Sequence, residues 1–600
     1  MTLSNEDRIR KYAFSDILVQ RYCFIKDIKD CCEKGQFQSV KDTIVPILGD
    51  LVADRDNCIR CVALNQFEYI AKLFFDYSYE EGIDLTQNVF FPLFKQTLMD
   101  ITESVQKATI DAFVACCSHI HRDDQGKYTY LFILQYVQHP EKEYKIIGCK
   151  LFRSAARVLG SEIMSEFGVS ELLLLSKDPL CQVRKHAILA FGAVSSILDV
   201  QQVEEDIFNA LLLNARSPSW VVKRACAIVI PEVFCNVRSH KTFLTITKTI
   251  GELFRDDNTW VKQAMLQTLG HLIAVIPSHF NINDDVKTRY MQLGNAKDDL
   301  PSNLYSRCCA FYFPAVLRAL SSCDSFWNDM SDLYGRLSHH TDPIVRRSLA
   351  HSLHEVARIV GPKLAQKFLV PVQAHFLEDR EDVRTGVLSH FADFCEALPE
   401  EERVRQAESV AHIVESLREM RQWRMRVEVV RQLPKLVGIL PKAVVLEAVA
   451  PVFLTLLNDP VEIVRRETAA CTFVVLNAAM EANANRGVVY VFQIILFAKS
   501  PKYNTREMFL LCCPQLKRLL SSHSFKKMIR PIIVMLAHDR VACVRECVVD
   551  LILDEPDKKT RQLYGMKAVL KALESETDAE IVAKLAKHPL TRERWQGPEL

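Results

Sequence analysis

Apolar residues recur along the chain at three- and four-residue spacing, in stretches separated by short polar turns. The segment 171–198, ELLLLSKDPLCQVRKHAILAFGAVSSIL, shows the pattern. Its first stretch ends at 172–175, Asp178 and Pro179 follow, and a second stretch begins at Val183. This periodicity predicts two helices. Asp178 can accept hydrogen bonds from the first N–H groups of the second helix, and Pro is tolerated in a first helical turn. The segment is therefore predicted to be a helix pair.

The same unit is repeated about thirteen times. Its clearest copies, such as KDPLCQVRKH, RSPSWVVKRA and AHDRVACVRE, have Asp or Ser in the turn, then a Val-like position, then Arg or Lys. Successive Val-like positions are 38 to 46 residues apart, most often 39, and the next residue is basic in every copy except at Gln106. The Val-like positions are Ile59, Val105, Tyr144, Val183, Val222, Val261, Ser306, Val345, Val383, Met425, Val464, Thr505 and Val544.

A period near 39 with two helical patterns is typical of HEAT-type repeats. One helix pair cannot bury its apolar face alone, so neighbouring pairs are expected to stack. We predict an all-α fold, an α-α superhelix or HEAT-repeat solenoid of about 13 to 15 helix pairs. A polar stretch that ends in Pro coincides with a longer separation between copies. The predicted organisation is an N-terminal array at 1–280, an irregular polar connector at 281–305, a C-terminal array with a terminal helical cap at 306–590, and a tail at 591–600.

Composition restricts the function classes. Only 18 Gly and 23 Pro in 600 residues leave little for disordered linkers, and 75 Lys and Arg balance 74 Asp and Glu. The chain therefore has no overall charge to attract nucleic acid or an anionic membrane, and neither is expected as a partner. The 20 Cys, scattered or in adjacent pairs, suggest reduced thiols in a cytoplasmic or also nuclear protein. No signal peptide is apparent, and the apolar run 487–498 is shorter than the roughly 18 residues that suggest a membrane span.

The sequence offers little catalytic chemistry. Neither GxGxxG nor GxxxxGK[ST] occurs, so no nucleotide cofactor is predicted. Cys58 and Cys61 form a CxxC without the second pair that a zinc site needs. His351 and His354 with Glu355 lack the HExxH order of a metalloprotease. We therefore predict no catalytic residue, no metal and no cofactor, and expect that the chain is not an enzyme.

Tryptophan has an unusual distribution. Trp220, Trp260 and Trp423 each fall one or two residues before a Val-like position, in the turn that joins the two helices of a repeat. Stacked turns would align into a ridge at which a partner could bind, and Trp and Arg dominate the energetics of many interfaces. Alternatively, each ring packs on the turn of the adjacent repeat and only tightens the stack. The sequence leaves both interpretations open.

Several segments resemble known proteins, in one order and spacing from about residue 14 to residue 590. They are SDILVQRYCFIKDI, SWVVKRACA, DDNTWVKQAMLQTLGHLI, VRRSLAHSLHEVARIVG and EDVRTGVLSHFADF. The chain resembles the HEAT-repeat regulatory and scaffold subunits of protein phosphatase 2A-like enzymes, in particular the phosphatase 4 regulatory subunit 1 family. The resemblance implies a non-catalytic subunit. It would bind a metal-dependent Ser/Thr phosphatase catalytic subunit, of phosphatase 4 or 2A type, and control its activity or substrate access.

The same resemblance implies a binding site. WRMRVEVVRQLPKLVG, SPKYNTREMFLLC and DRVACVRECV are similar to stretches of the phosphatase 2A scaffold, whose C-terminal turns hold the catalytic subunit. By position this implies partner-binding roles for Trp423, Arg424 and Val541, to which the neighbouring turn residues Tyr503 and Arg540 are added. The chain lacks the long central polar insertion of larger family members. A further regulatory subunit or a substrate is a second kind of partner that a scaffold would bind.

A different function remains open. Nuclear-transport and other cargo-binding adaptors are built from similar helix pairs, so the predicted fold does not exclude them. Helix periodicity also does not specify which catalytic subunit or substrates are bound, or whether binding activates or inhibits the enzyme.

Overall fold

The computed structural model describes residues 11–34, 37–276, 284–293, 300–321 and 326–591. The chain divides into two compact units, Met1–Tyr290 and Met291–Leu600, called unit 1 and unit 2. Regular structure in the described residues is helical throughout, without a strand. The all-α fold built from repeated helix pairs, predicted from the apolar periodicity, is confirmed.

Unit 1 is a succession of helix pairs in which the second helices pack against one another in series. Its longer helices begin with Leu18–Lys34. The others are Val45–Leu51, Asn57–Leu64, Phe67–Tyr77, Tyr79–Asp84, Phe91–Thr97, Glu103–Cys117, Leu131–Val137, Lys142–Ile163, Val169–Leu175, Cys181–Ser195, Phe208–Ala215, Trp220–Phe234, His240–Phe254 and Thr259–Val275.

Unit 2 repeats the arrangement. Its helices are Leu300–Leu320, Phe326–Ser338, Pro343–Val360, Val370–Leu377, Glu381–Ser389, Phe391–Glu396, Glu400–Glu419, Trp423–Ile439, Ala450–Leu457, Glu462–Ala470, Thr472–Ala482, Ala484–Phe497, Tyr503–Leu519, Ser522–Met528, Arg530–Leu536, Ala542–Leu553, Lys558–Tyr564, Met566–Ala572 and Ala579–Lys587. Second helices of successive pairs again contact each other, which places the turns that precede them along one edge of the unit.

The first helices of several pairs contain a local widening of the helix. A π-helical segment of five or six residues precedes the α-helical part, for example at Val203–Ile207 and Val445–Val449. Proline cannot donate the usual backbone hydrogen bond, and it lies at the start of the α-helical part in four such helices. These prolines are Pro46, Pro92, Pro371 and Pro451.

The Val-like positions form the core between pairs. Val183, Val222, Val261, Val464 and Val544 are all completely buried. Ala187, Ile188 and Phe191, which follow Val183 in the same helix, are equally buried, as the sequence pattern predicts. The chain thus gains its stability from apolar surface shared by adjacent pairs.

The recurrent basic residue near the start of the second helix joins many of the pairs to the next. Its side chain forms an ion pair with an acid in the turn of the following repeat. These inter-repeat ion pairs are Arg21–Asp54, Arg60–Asp100, Lys145–Asp178 and Lys223–Asp256 in unit 1, and Arg307–Asp342, Arg346–Asp379, Arg426–Asp459, Arg506–Asp539 and Arg545–Glu576 in unit 2. The acid also caps its own turn, since Asp178 accepts a hydrogen bond from the amide of Leu180 (2.9 Å).

The segment 281–305 differs from the irregular connector predicted there. A helix occupies Asp284–Leu293, and another begins at Leu300. Residues 281–283 and 294–299 lie outside the described residues, as do residues 592–600 of the predicted tail. The sequence of this helix is mostly polar, but its apolar residues Tyr290 and Leu293 are buried, which is the pattern of an amphipathic helix.

The apolar run 487–498 lies mostly in the helix Ala484–Phe497. One face of this helix is buried through Val491 and Ile494, and the opposite face leaves Val489, Phe492 and Leu496 exposed. Among the described helices, none is both long and apolar enough to cross a membrane.

Candidate partner-binding surface

The turn before Trp423 has an unusual backbone. Arg421 has a φ of 57°, the left-handed conformation that normally selects Gly, and no other non-glycine residue in the described ranges has a positive φ. The amide of Gln422 donates to the carbonyl of Leu417 (2.9 Å), and that of Arg421 to the carbonyl of Arg418 (3.0 Å). This hydrogen-bond pair is the Schellman ending of the helix Glu400–Glu419. An arginine in this conformation costs about 1–2 kcal/mol relative to Gly.

Trp423 is the first residue of the second helix and is partly buried. Its ring packs against the hydrophobic core of the unit. The ring also faces the exposed guanidinium of Arg424, whose central carbon lies 4.6 Å from the ring centroid. Part of the ring therefore packs on the core, as the packing interpretation expects, and partner binding at the remainder stays a prediction.

A buried ion pair fixes the start of this helix. Arg426 is 2% exposed and donates through Nε and Nη2 to the two carboxylate oxygens of Asp459 (2.6 and 3.0 Å). Its Nη1 donates to the carbonyl of Leu417 at the end of the preceding helix (3.0 Å). One guanidinium therefore holds both ends of the turn that presents Trp423 and Arg424.

Two buried polar atoms near this turn lack partners. Gln422 Oε1 accepts no hydrogen bond from the described residues, and Arg384 Nε donates none to them. Arg384 is the recurrent basic residue of the preceding repeat. In the turn that it faces, Met420 takes the place of the usual acid, and Arg384 Nη1 contacts the Met420 sulfur (3.1 Å). Buried unpaired polar atoms are rare in folded proteins, and the strained backbone at Arg421 lies beside Gln422.

The other predicted residues lie in two adjacent turns. Tyr503 begins the helix Tyr503–Leu519 and is 50% exposed, Arg540 is exposed, and Val541 is partly buried. The ion pair of Arg506 with Asp539 (2.7 and 2.8 Å) connects these turns. The structure therefore places Tyr503, Arg540 and Val541 in turns that are joined directly.

The turn at 458–462 separates that group from Trp423 and Arg424. Ile463, which is not among the residues predicted from the sequence, follows this turn and is 43% exposed. The sequence gives little indication that Ile463 is exposed, because an apolar residue beside a buried Val-like position is expected to be buried as well. With Ile463, exposed side chains are present at the starts of four successive second helices of unit 2, through Arg424, Ile463, Tyr503 and Arg540.

A groove beside Tyr503 extends this surface. A cavity of about 580 Å³ is lined by Leu454, Leu496 and Phe497 together with Lys502 and Thr505. Leu496 belongs to the exposed apolar face of the helix Ala484–Phe497. The sequence signal for this groove is a helix that is apolar on more than one face, which is typical of a buried or partner-covered helix.

In unit 1, Trp220 and Trp260 are also first or second residues of their helices. They are 42% and 54% exposed, so the adjacent repeat covers only part of each ring. Leu180 occupies the corresponding turn one repeat earlier and is exposed as well. Successive turns of unit 1 thus present apolar side chains to solvent.

The described residues contain no group of three or more His, Cys, Asp or Glu able to hold a metal ion. Cys61 contacts the hydroxyl of Ser104 (3.8 Å). His354 is buried, its ring stacks on that of His390 (4.2 Å between centroids), and burial lowers its pKa to about 4. Burial raises the pKa of the Cys512 thiol to about 12. His354 and Cys512 are therefore packed in the fold and uncharged at neutral pH.

Comparison with known proteins identifies relatives. The family model of the protein phosphatase 4 regulatory subunit 1 middle domain matches residues 309–413. The chain is 30% identical over 241 residues to serine/threonine-protein phosphatase 4 regulatory subunit 1 of Rattus norvegicus and of Homo sapiens, an alignment covering 40% of this chain and 25% of each relative. The chain thus spans about a quarter of the length of these relatives. The resemblance to phosphatase 4 regulatory subunit 1 inferred from the sequence is confirmed.

Among solved structures, importin beta aligns with a TM-score of 0.52 at 13% identity, covering 93% of this chain and 74% of that one. Yeast importin-beta aligns with a TM-score of 0.50 at 12% identity, covering 98% and 76%. At this identity the likeness shows the helical-repeat fold alone.

Proposed function

We propose that this relative of phosphatase 4 regulatory subunit 1 is a non-catalytic regulatory or scaffold subunit of a Ser/Thr protein phosphatase. The observation behind the proposal is the similarity over 241 residues, together with the family model at 309–413. The partner would be a 2A-like catalytic subunit, of phosphatase 4 or 2A type. Any metal needed for phosphate hydrolysis would be held by that partner.

The turns of unit 2 would form the binding surface. The Trp423–Arg424 stack offers an apolar ring and a cation at one helix start, and Ile463, Tyr503 and Val541 follow at successive starts. Aromatic and Arg side chains partly set into a packed surface are typical of interface residues with large energetic effects.

Function would then come from positioning. A subunit that holds the enzyme at one part of its surface and a substrate at another converts a bimolecular encounter into a tethered one. The tether raises the effective concentration of the substrate near the enzyme, and this effect needs no catalytic group on the scaffold. Whether catalysis rises or falls for a given substrate depends on whether the tether directs that substrate to the active site or away from it.

The proposal is tested by a binding experiment with the full purified chain. Immobilised chain is incubated with purified phosphatase 4 and phosphatase 2A catalytic subunits, and a known 2A scaffold serves as the positive control. Capture of either enzyme supports the proposal. Failure to capture both, under conditions in which the control scaffold retains its enzyme, contradicts it.

A cargo-binding or nuclear-transport adaptor is the alternative function. The likeness to importin beta supports only the shared fold, so it does not favour this function by itself. Binding of a small GTPase or of Phe-Gly repeats, without capture of a phosphatase catalytic subunit, would favour the adaptor.

A further inference from the structure

Five cations line one cavity near the C-terminal end of unit 2. The cavity has a volume of about 700 Å³ and lies where the ends of several helices meet. Each cation comes from a different helix. They are Lys517 of Tyr503–Leu519, Lys526 of Ser522–Met528, Arg530 of Arg530–Leu536, Lys559 of Lys558–Tyr564 and Lys567 of Met566–Ala572.

The single acid in the cavity wall is already engaged. Asp557 Oδ2 accepts hydrogen bonds from the Thr560 hydroxyl (2.6 Å) and the Thr560 amide (2.9 Å). Thr560 Oγ1 in turn accepts from Lys517 Nζ (2.6 Å). Among the described residues, no Asp or Glu forms an ion pair with Lys526, Arg530 or Lys567. The cavity therefore keeps most of its positive charge.

This charge is a local feature. The whole chain has 75 basic and 74 acidic residues, whereas residues 517–571 contain twelve Lys and Arg against six Asp and Glu. In the inter-repeat ion pairs, a cation of one repeat is neutralised by an acid of the next. A concave wall with several like charges that are not neutralised focuses a positive potential and attracts anions.

The backbone keeps one of these cations in place. Gly565 has a φ of 91° and joins the helices Lys558–Tyr564 and Met566–Ala572. A Cβ at this position would lie 3.0 Å from Arg530 Nε and 3.2 Å from Arg530 Cγ. The arginine side chain thus lies closely against the glycine. Because Gly565 has no Cβ, it permits the sharp joint between the helices and leaves room for the guanidinium.

We propose that this cavity binds a small anion with several phosphate groups, of the inositol polyphosphate class. Its wall is mostly polar, with Leu563 and Met566 as the apolar contributors, so the ligand must be recognised by charge. Lysine ammonium groups suit phosphate because their three donors can rotate toward its oxygens. The cations surround one concavity of small-molecule size instead of following a line, which favours a compact polyanion over an extended phosphopeptide.

The cavity is separate from the surface proposed for the phosphatase. Lys517 and Tyr503 lie on the same helix, fourteen residues apart, which corresponds to about 21 Å along the helix axis. Tyr503 is at the turn within a repeat, and the cavity is at the connections between repeats. Binding of the polyphosphate therefore does not depend on the proposed phosphatase function.

The test is isothermal titration calorimetry of the full chain with inositol hexakisphosphate, with inorganic phosphate and unphosphorylated inositol as comparison ligands. We expect saturable 1:1 binding of the hexakisphosphate that weakens as salt is raised. The double variant Lys526→Ala with Lys567→Ala removes two exposed cations and should weaken binding by about tenfold or more, since charge attraction is the main contribution. The single variant Lys559→Gln should weaken binding in the same direction.

A matched control removes the same charge elsewhere. Lys107 and Lys248 are exposed lysines of unit 1, and their double Ala variant should bind as tightly as the wild type. Absence of saturable binding, an equal loss in this control, or binding of a multiply phosphorylated peptide without binding of inositol hexakisphosphate would each overturn the proposal. Equal melting temperatures of all variants establish that a loss of affinity does not come from unfolding. Capture of the catalytic subunit, measured separately, should be the same for the wild type and the Lys526/Lys567 variant.

Discussion

Arg426 and Asp459 form a buried, two-point ion pair between adjacent repeats of unit 2. The Nε–Oδ2 and Nη2–Oδ1 distances are 2.6 and 3.0 Å, and Arg426 is among the largest fully buried side chains. The same guanidinium binds the Leu417 carbonyl, so it supports the turn that presents Trp423 and Arg424. The pair consequently connects repeat stacking with the geometry of the candidate partner-binding surface.

Replacing Arg426 with Met should strongly destabilise this part of unit 2. The variant leaves the Asp459 carboxylate buried without its partner, which typically costs about 3–5 kcal/mol. We expect a lower denaturation midpoint and faster amide hydrogen exchange in residues 417–465. Arg424→Met is the matched control, because Arg424 is exposed and its loss should change the midpoint little. Similar destabilisation by both variants would contradict the assigned role.

Replacing Trp423 and Arg424 together with Ala should weaken capture of the phosphatase catalytic subunit. Truncation of a dominant interface residue typically costs about 2 kcal/mol, or roughly thirtyfold in affinity. Because the Trp423 ring also packs on the core, the double variant should melt at a lower temperature as well. Arg424→Ala alone separates the effects, since it should lower affinity, measured by surface plasmon resonance, without lowering the melting temperature. Unchanged affinity in both variants would restrict Trp423 to packing.

Replacing Arg421 with Gly should stabilise the chain. The left-handed backbone at this position is unfavourable for an L-residue by about 1–2 kcal/mol, part of which is offset by the greater freedom of Gly in the unfolded chain. The expected result is a higher melting temperature by calorimetry. Arg424→Gly, three residues later within a helix, should lower the melting temperature because Gly costs about 1 kcal/mol there. The same sign of change in both variants would be inconsistent with strain at Arg421.

Acidification should weaken the C-terminal end of unit 2 through Glu576. Two hydrogen bonds from Arg545 (2.6 and 2.7 Å) lower the pKa of Glu576 to about 2 from its ordinary value of 4.5. A folded-state pKa below the unfolded value means that the stabilisation is complete above pH 4.5 and is lost as the pH falls from 4.5 toward 2. Melting temperatures measured across that range should fall less steeply for Glu576→Gln than for the wild type.

The exposed Glu580 provides the comparison for this pH dependence. It makes no ion pair with the described residues, so Glu580→Gln should follow the wild-type curve. If Glu576→Gln also follows that curve, the Arg545–Glu576 pair does not contribute to the acid sensitivity.

The sequence was informative about what recurs within each repeat. Burial of Val183 and its equivalents follows from a three- and four-residue apolar period, and the turn at Asp178 follows from the capping preference of Asp. The partner of the recurrent basic residue was not foreseen, because Arg426 and Asp459 belong to different repeats and lie 33 residues apart. Such pairing depends on how helix pairs stack, which the local pattern does not contain.

The candidate surface was foreseen only in part. The repeat spacing placed Trp423 in a turn. Only the packed structure shows that its side chain is partly in contact with the core and partly exposed. The conformation of Arg421 was not predictable, since a left-handed helix ending normally has Gly or Asn. The helix at Asp284–Leu293 was missed because its polar sequence resembles that of a loop.

The inter-repeat ion pairs also have a mechanical consequence. In unit 2, Arg384 meets Met420 instead of an acid, and Arg465 hydrogen-bonds to carbonyls of its own turn, whereas Arg426 lies between them with a complete pair to Asp459. The repeat whose second helix begins at Trp423 is thus joined to the next one by this buried pair. The junctions on either side of these two repeats lack the recurrent pair and have other ion pairs, Lys435 with Asp393 and Arg486 with Glu447. Under a pulling force, these two junctions should lengthen first, because their ion pairs are more exposed to water than the buried Arg426–Asp459 pair and are therefore weaker.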